Sequence, residues 1–548
     1  MNKNCDFSIY FAGDAYSTSK KIMGRQSAGK AFLKGIARTW PNGEISGIGH
    51  TKNDCQDMLR QLQSNGFEGS INWSNFPSTD TAQNTGALYF PSPCPKSVAH
   101  LRNISNPRSF SLMGVTFTLS SAGATDGVAE LILPPFQPWD ALICISQCAK
   151  DFTLKLHQDM KDWWTSQVGP IKFNEPQLPV IMLGVDAPYF ETSSEQKRVA
   201  RQSLAIHENE IVFLFSGRLS FHAKANPAPM YQALEKASKF SQIVCIEAGV
   251  FPNNSIKESY LNAQRVLAPS VRFIWADGKS DIQYKQAWQA SDTFISLSDN
   301  IQETFGLTPV EAMAAGLPVI ITDWNGYKET VRNGIDGFRV PTVLPPGGVG
   351  GDLALRHAME TDSYDFYIGR TSLATVVDPN ALAAAIIRLA TDQHLRLQMS
   401  LSGLSRAREL FDWPIILEQY AQLANELKRI RDFSSHLNPQ PWPQRSDPFS
   451  RFAHFSTTQL KGDWTIKIKM DVKIKLKELL SLNMANYALD AELLPRESIN
   501  AIVETLLKGG IQNVNEVLKN SGQSNRVGVR VLMFLWKFDL IQIDLTQS

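Results

Sequence analysis

What constrains this chain most is a rhythm that runs twice. Short apolar stretches of strand length alternate with amphipathic stretches of helix length, and near Ile211 the series starts again. In the first third, "SIYFAG", "EISGIG", "ALYF", "MGVTFTL", "ALICIS" and "LPVIMLGV" read as strands, with helices over Ala28–Trp40, Asp54–Ser64 and Gln147–Gln167 between them. In the second series, "IVFLFSGRL", "IVCIEAG", "VRFIWA", "TFISLS" and "PVIIT" are separated by helices near Met230–Lys239, Ile256–Leu267, Tyr284–Ala290 and Thr308–Ala315. The runs lack clean polar alternation, which predicts strands buried on both faces under helices, as in a parallel sheet. The expectation is an α/β chain with two Rossmann-like, doubly wound domains, and with a ligand cleft between the C-terminal ends of their strands.

Punctuation sets the boundaries. The polar stretch "DAPYFETSSEQKR" places a seam near Asp186–Gln202, giving an N-terminal domain over 1–186 and a second domain over 187–435. "PTVLPPGGVGGDLA" reads as an inserted loop ahead of a helix near Pro379–Thr391, and "FDWPIILEQYAQLANELKRI" as one more amphipathic helix. A proline-rich linker over 436–450 leads to a small α+β accessory domain, 451–548, for which a winged-helix-like form is one reading. There, "TIKIKMDVKIKLKELL" alternates apolar residues with lysines, which predicts one half-buried strand from Ile466 to Leu476. Its lysines either guard a sheet edge or line a membrane-facing or anionic surface. The tail "VGVRVLMFLWKFDLIQID" is apolar and β-prone.

Bulk properties remove whole classes. With 54 basic and 53 acidic residues the net charge is +1, so no overall field recruits nucleic acid. No apolar run approaches the roughly 18–20 residues that cross a bilayer, and the start lacks a signal-peptide pattern, so a cytoplasmic protein is expected, with peripheral contact at the inner membrane face as a further reading. Six cysteines in 548 residues do not form a disulfide framework, and the Cys144/Cys148 pair has no matching His/Cys pair for zinc.

The segment "QETFGLTPVEAMAAGLPVIITD" holds two glutamates in an otherwise small, apolar setting. Thr308-Pro309-Val310-Glu311 has the form of a capping box, so Glu311 has a structural explanation as a cap residue. Glu303 has none. It lies between a strand and a helix at the C-terminal edge of the second sheet, where open α/β sheets bind ligands and where free helix-start amides suit a phosphate.

Here the chain resembles the GT-B glycosyltransferases, specifically retaining family 4, whose architecture is related to that of glycogen synthases. The resemblance rests on the E-x7-E pattern from Glu303 to Glu311 inside "ETFGLTPVEAMAAGLPVI". It implies that Glu303 holds the hexose of a nucleotide-sugar donor, that Glu311 holds the ribose, and that the amides of Thr304, Phe305, Gly306 and Leu307 run along the donor. "SGRLSFHAKANP" resembles the family's diphosphate grip, with Arg218 and Lys224 as the cations; Lys224 stands one residue later than the usual spacing, and alanine follows it. "GDAYSTSKKIMGRQSAGK" corresponds to the glycine loop of the first βα unit, with Gly24 facing the donor phosphates and Gly29 beyond it. One departure stands out: related enzymes often carry histidine near position 117, and this chain has Phe117, which leaves His100 as an alternative acceptor-side group.

The expected function is therefore a retaining, metal-independent hexosyltransferase moving a hexose from a nucleotide diphosphate sugar to a saccharide or glycolipid hydroxyl, with no cofactor. The chain has no D-x-D triad, and Arg218 and Lys224 would take the place of a metal on the diphosphate. The alternative is a catalytically silent GT-B module that binds sugar or scaffolds a polysaccharide assembly system, with Phe117 as its mark.

Overall fold

A computed structural model describes residues 4–16, 24–487, 489 and 493–544. The chain divides into two compact units, residues 1–442 and 443–548. The first unit contains two six-stranded sheets, both parallel throughout.

The N-terminal sheet comprises β1 (Ser8–Tyr10), β2 (Glu44–Gly49), β3 (Ser70–Asn75), β4 (Ala87–Tyr89), β5 (Ser111–Val115) and β6 (Ala141–Ile143), in spatial order β3-β2-β1-β4-β5-β6. The second sheet comprises β7 (Glu210–Ser216), β8 (Gln242–Gly249), β9 (Arg272–Asp277), β10 (Thr293–Ser296), β11 (Val319–Thr322) and β12 (Gly337–Val340), in order β12-β11-β10-β7-β8-β9. In each, the first strand is flanked by the second and fourth, so the order reverses once, between β1 and β4 and between β7 and β10. Both sheets are doubly wound, and each has the switch point at which such sheets open a crevice beyond their strand ends. The central strands β4, β5, β10 and β11 expose nothing, as their apolar runs predict, and neither does the edge strand β6.

Two strand expectations need correction. "LPVIMLGV" is buried at Ile181, Leu183 and Val185 but joins no sheet; it crosses between the domains, held by single bridges such as Cys144 to Val180 and Val185 to Asp412. Its apolar character reflects cover from both domains rather than pairing. Conversely, β3 is a half-buried edge strand of sequence SINWSN, too polar to stand out.

The amphipathic helix at Trp413–Phe433 returns to the N-terminal domain. The Trp413 ring is wedged between two helix and loop backbones: a Cβ at Gly35 or Gly184 would come within 2.5 or 2.4 Å of it. Further along, Arg431 donates to the Gly86 carbonyl at 2.8 Å and to Ser111 Oγ at 2.6 Å. This helix thereby packs against the N-terminal sheet.

The second unit is α+β. Thr465–Ile468 pairs antiparallel with Gln512–Asn513 on one side and Ile541–Ile543 on the other. Helices Arg496–Gly509, Val514–Asn520 and Asn525–Lys537 contribute to its core. The expected long strand ends at Ile468. Asp471 adopts φ +60°, and Val472–Leu479 is a helix that buries Val472 and Leu476. The I/K alternation also places apolar residues four apart, and burial selects the helical spacing. Likewise "NRVGVRVLMFLWK" is helix, not strand: Gly528, Val531, Leu532 and Leu535 follow the helical period and face the core. Packing here overrides the β propensity of valine and phenylalanine.

Candidate functional site

The loops after β7 and β10, neighbours at the switch point of the second sheet, carry the charged residues singled out from sequence. β7 ends at Ser216, and Gly217 (φ +152°) turns the chain into Arg218. That turn is closely covered, since a Cβ on Gly249 at the end of β8 would lie 1.8 Å from the Gly217 carbonyl oxygen. Arg218 Nη2 donates to the Ala223 carbonyl at 3.0 Å, bending the loop so that Lys224 comes back over Gly217.

Lys224 reaches across to the β10 loop. Its Nζ lies 2.5 Å from Glu303 Oε2, and both side chains are largely buried. Burial alone would raise the Glu303 pKa, but the Lys224 charge and hydrogen bond, with help from the Phe305 and Thr304 amides, hold it below the usual glutamate value. Lys224 is shifted upward: burial works against its charge, the Glu303 carboxylate outweighs burial, and nearby Arg218 opposes it. The result is an ionised pair with a second cation next to it.

The helix after Glu303 starts differently from the capping-box expectation. It runs Leu307–Ala314 with Gly306 as its N-cap, and no side chain caps it. Thr308 is already inside the first turn, and its buried Oγ1 has no hydrogen-bond partner. Gly306 has φ +87°, and a Cβ there would lie 1.8 Å from the Tyr327 ring, so glycine is required twice over. This early start is set from outside the segment. Asn325 (φ +43°) donates to the Glu303 carbonyl, and Tyr327, hydrogen bonded to Ser296 at 2.9 Å, fills the space under Gly306. The Glu311 carboxyl group, released from any capping role, makes no hydrogen bond among the described residues. Burial pushes its pKa up to about 7 against the pull of Lys224.

The loop also faces the N-terminal domain. Thr304 Oγ1 donates to the Phe117 carbonyl at 2.7 Å, and Ser146 Oγ donates to the Thr304 carbonyl at 2.8 Å. The residues beyond β5 and β6 thus meet the residues beyond β10, and the strand ends of the two sheets oppose one another. Glu329 adds a tie, accepting from the Gln147 (2.7 Å) and Cys148 (3.2 Å) amides at the start of the Gln147–Val168 helix. From the helix Tyr364–Leu373, beyond the inserted loop, Tyr364 Oη bonds Thr118 Oγ1 and Ser120 Oγ at 3.0 and 2.8 Å.

The other expected residues fall as follows. Gly24 is the first residue of the helix Gly24–Thr39, and the rest of the proposed glycine loop, 17–23, lies outside the described residues. Gly29 serves packing: a Cβ would lie 2.1 Å from the Ala15 carbonyl oxygen. Phe305 is fully buried in the core and Leu307 packs against it, so these two can offer only backbone. His100 stacks on Trp442 at 4.7 Å, an arrangement that gives it no visible part in the cluster around Glu303. Sequence reading missed Asn325, Tyr327, Glu329, Ser146 and Tyr364. The "NG" of "DWNGYKE" was a signal for a left-handed residue; the others act only through contacts distant in sequence.

This arrangement places two cations, a low-pKa carboxylate and an unpaired carboxyl at one switch point, next to a helix start. Carboxylates accept from vicinal hydroxyls, and guanidinium and ammonium groups suit phosphate oxygens.

Comparison with known proteins finds its family match in the second domain. Residues 196–344 match the family described as glycosyl transferases group 1. An uncharacterized glycosyltransferase of Methanocaldococcus jannaschii is 26% identical over 172 residues, which is 31% of this chain and 42% of that protein. The D-inositol 3-phosphate glycosyltransferase of a Nocardioides species is 27% identical over 205 residues, 34% of this chain and 42% of its own length. The chain thus matches about two fifths of the length of these relatives. Among solved structures, Anabaena HepE in complex with UDP superposes with a TM-score of 0.51 at 16% identity, covering 77% of this chain and 99% of that one. The likeness is one of fold: two Rossmann-like domains in the GT-B arrangement.

Proposed function

We propose that this chain is a retaining, metal-independent hexosyltransferase of the family 4 type, taking its hexose from a nucleotide diphosphate sugar. The observation that carries the reading is the Lys224–Glu303 pair beside Arg218 at the β7/β10 switch point, within the segment that matches group 1 glycosyl transferases. Arg218 and Lys224 would hold the diphosphate and stabilise the charge it gains on leaving, which makes a metal unnecessary. Glu303, released from Lys224 as the donor enters, would accept from hexose hydroxyls, and Glu311 from the ribose. The amides of Thr304 to Leu307, with Gly24 on the opposite side, would line the donor. The acceptor, a saccharide or glycolipid hydroxyl, would enter from the side of Phe117. Its oxygen bonds to the anomeric carbon as the bond from that carbon to the phosphate oxygen breaks, and its proton passes to the departing diphosphate on the same face. That route needs no side-chain base at position 117, where phenylalanine can supply none.

No helix among the described residues is long and apolar enough to cross a membrane, and the proposed setting is the cytoplasm. The test is nucleotide release and sugar transfer with a panel of UDP-, GDP- and ADP-sugars. At least one donor should turn over, and Glu303→Ala and Arg218→Ala should nearly abolish transfer in folded protein. Binding without nucleotide release from any donor would instead favour the silent, sugar-binding module. Full turnover by Glu303→Ala would refute the role given to Glu303.

A further inference from the structure

The accessory unit carries a segment whose surface contradicts ordinary solvent exposure. Within residues 461–487 there are six lysines and three acids, in a chain whose overall charge is only +1. Among these basic residues stand large apolar side chains turned outward: Met470 is 86% exposed, Ile474 63%, Met484 75% and Tyr487 83%.

The helix Val472–Leu479 shows that this is not loose packing. Its core face is Val472 and Leu476, with Leu479 packed alongside. At about 100° per residue, Ile474 lies roughly opposite that face, with Lys473 and Lys477 to one side and Glu478, then Lys475, to the other. A helix that only needed solubility would carry a polar residue at this outermost position. Met470 lies two residues before the helix, and Met484 and Tyr487, three apart, share one side of the short helical turn that follows. Lys469 and Lys473 are paired with Asp539 and Glu504, whereas Lys467, Lys475 and Lys477 make no ion pair among the described residues.

Apolar tips set in a field of free lysines match the interfacial region of an anionic bilayer. The tips can enter the acyl boundary, while lysine stems lie along it and their ammonium groups meet lipid phosphates. A duplex nucleic acid would use the lysines but leave Met470, Ile474, Met484 and Tyr487 without partners. A protein groove would use the apolar residues but leave Lys467, Lys475 and Lys477 without partners. We propose that residues 467–487 form a docking surface for anionic membrane lipid, which would hold the full chain at a membrane surface as a peripheral protein. The proposal stands apart from the donor-site reading, since lipid attachment and sugar transfer are separate measurements.

The experiment is cosedimentation of the full-length chain with phosphatidylcholine vesicles, with and without about one third phosphatidylglycerol. Binding to the anionic vesicles alone is expected, weakening as salt rises. The double variant Ile474→Glu/Met484→Glu should bind at least about tenfold more weakly with an unchanged melting temperature, because both side chains lie outside the core. A separate variant, Lys467→Gln/Lys475→Gln/Lys477→Gln, should lose the salt dependence together with most of the binding. Absence of binding to anionic vesicles, equal binding to both vesicle types, or unaltered binding by both variants would each overturn the proposal. So would lysine-dependent binding of duplex DNA to which the apolar substitutions are indifferent.

Discussion

Replacing Lys224 by methionine tests the electrostatics of the site without reference to any substrate. Methionine keeps most of the side-chain volume and leaves Glu303 facing no cation at hydrogen-bond distance. At the observed 2.5 Å separation the gross attraction is about 7 kcal/mol at an effective dielectric near 20, most of it offset by the desolvation of both groups. Breaking a fully buried pair from one side costs about 3–5 kcal/mol; since both side chains keep some contact with solvent, about 2–3 kcal/mol is expected here. The pH dependence is the sharper signature. In the wild type the Glu303 pKa is depressed, so its contribution is present above the unfolded value and is lost as pH falls below it. In Lys224→Met only the Phe305 and Thr304 amides still oppose burial, the largest influence, and the pKa moves above the unfolded value. The carboxyl then favours folding only while protonated, and the deficit of the variant grows as pH rises from about 5 to 8. Adding Glu303→Gln removes the stranded charge, so the double variant should regain about 1–2 kcal/mol at pH 8 and lose the pH trend. Urea unfolding followed by circular dichroism, across pH 5 to 8, measures all four corners of the cycle. A pH-independent loss, or additive single effects, would refute the claim that these two charges hold one another.

Two further expectations follow from single positions. Gly306→Ala places a methyl group within 1.8 Å of the Tyr327 ring at φ +87°, so it should cost at least about 2 kcal/mol by denaturant unfolding and disturb the Glu303 loop; a melting point equal to the wild type would be inconsistent with the turn described. Glu247, at the buried end of β8 between Tyr231 (2.5 Å) and Gln264 (2.8 Å), is pushed by burial up to about 7. Its raised pKa adds stability that is complete below the unfolded value and gone above pH 7, so the wild type should lose about 3 kcal/mol between pH 4.5 and 7 that Glu247→Gln does not, read as the difference between their stability–pH curves.

The fold was legible because its two series of buried strands are nearly continuous runs of valine, isoleucine, leucine and phenylalanine, a pattern that few arrangements other than a helix-covered parallel sheet can satisfy. It was less legible where burial is partial or shared. β3 reads as polar because it is an edge strand, and residues 178–185 read as a strand because two domains cover them. The stretch from Thr465 to Leu479 fits both period two and a helix, and only the small core of the accessory unit decides where one gives way to the other. Around the site, Glu303, Arg218 and Lys224 could be named from strand-end position and motif. The backbone between them could not. Thr308 reads as a cap until Tyr327, from across the next strand, sets the turn at Gly306. The ties from Thr304 to Phe117, from Glu329 to the Gln147 amide and from Tyr364 to Ser120 join residues more than a hundred positions apart and leave no local trace.

The most direct test of the donor site is calorimetric titration of the chain with nucleotide diphosphate sugars and with the matching nucleotide diphosphates. One donor should bind at a single site. Arg218→Ala should weaken the sugar nucleotide and the bare diphosphate alike, whereas Glu303→Ala should remove only the increment contributed by the hexose. If no nucleotide diphosphate binds, or if both variants bind the sugar nucleotide as the wild type does, the switch point of the second sheet is not a donor site.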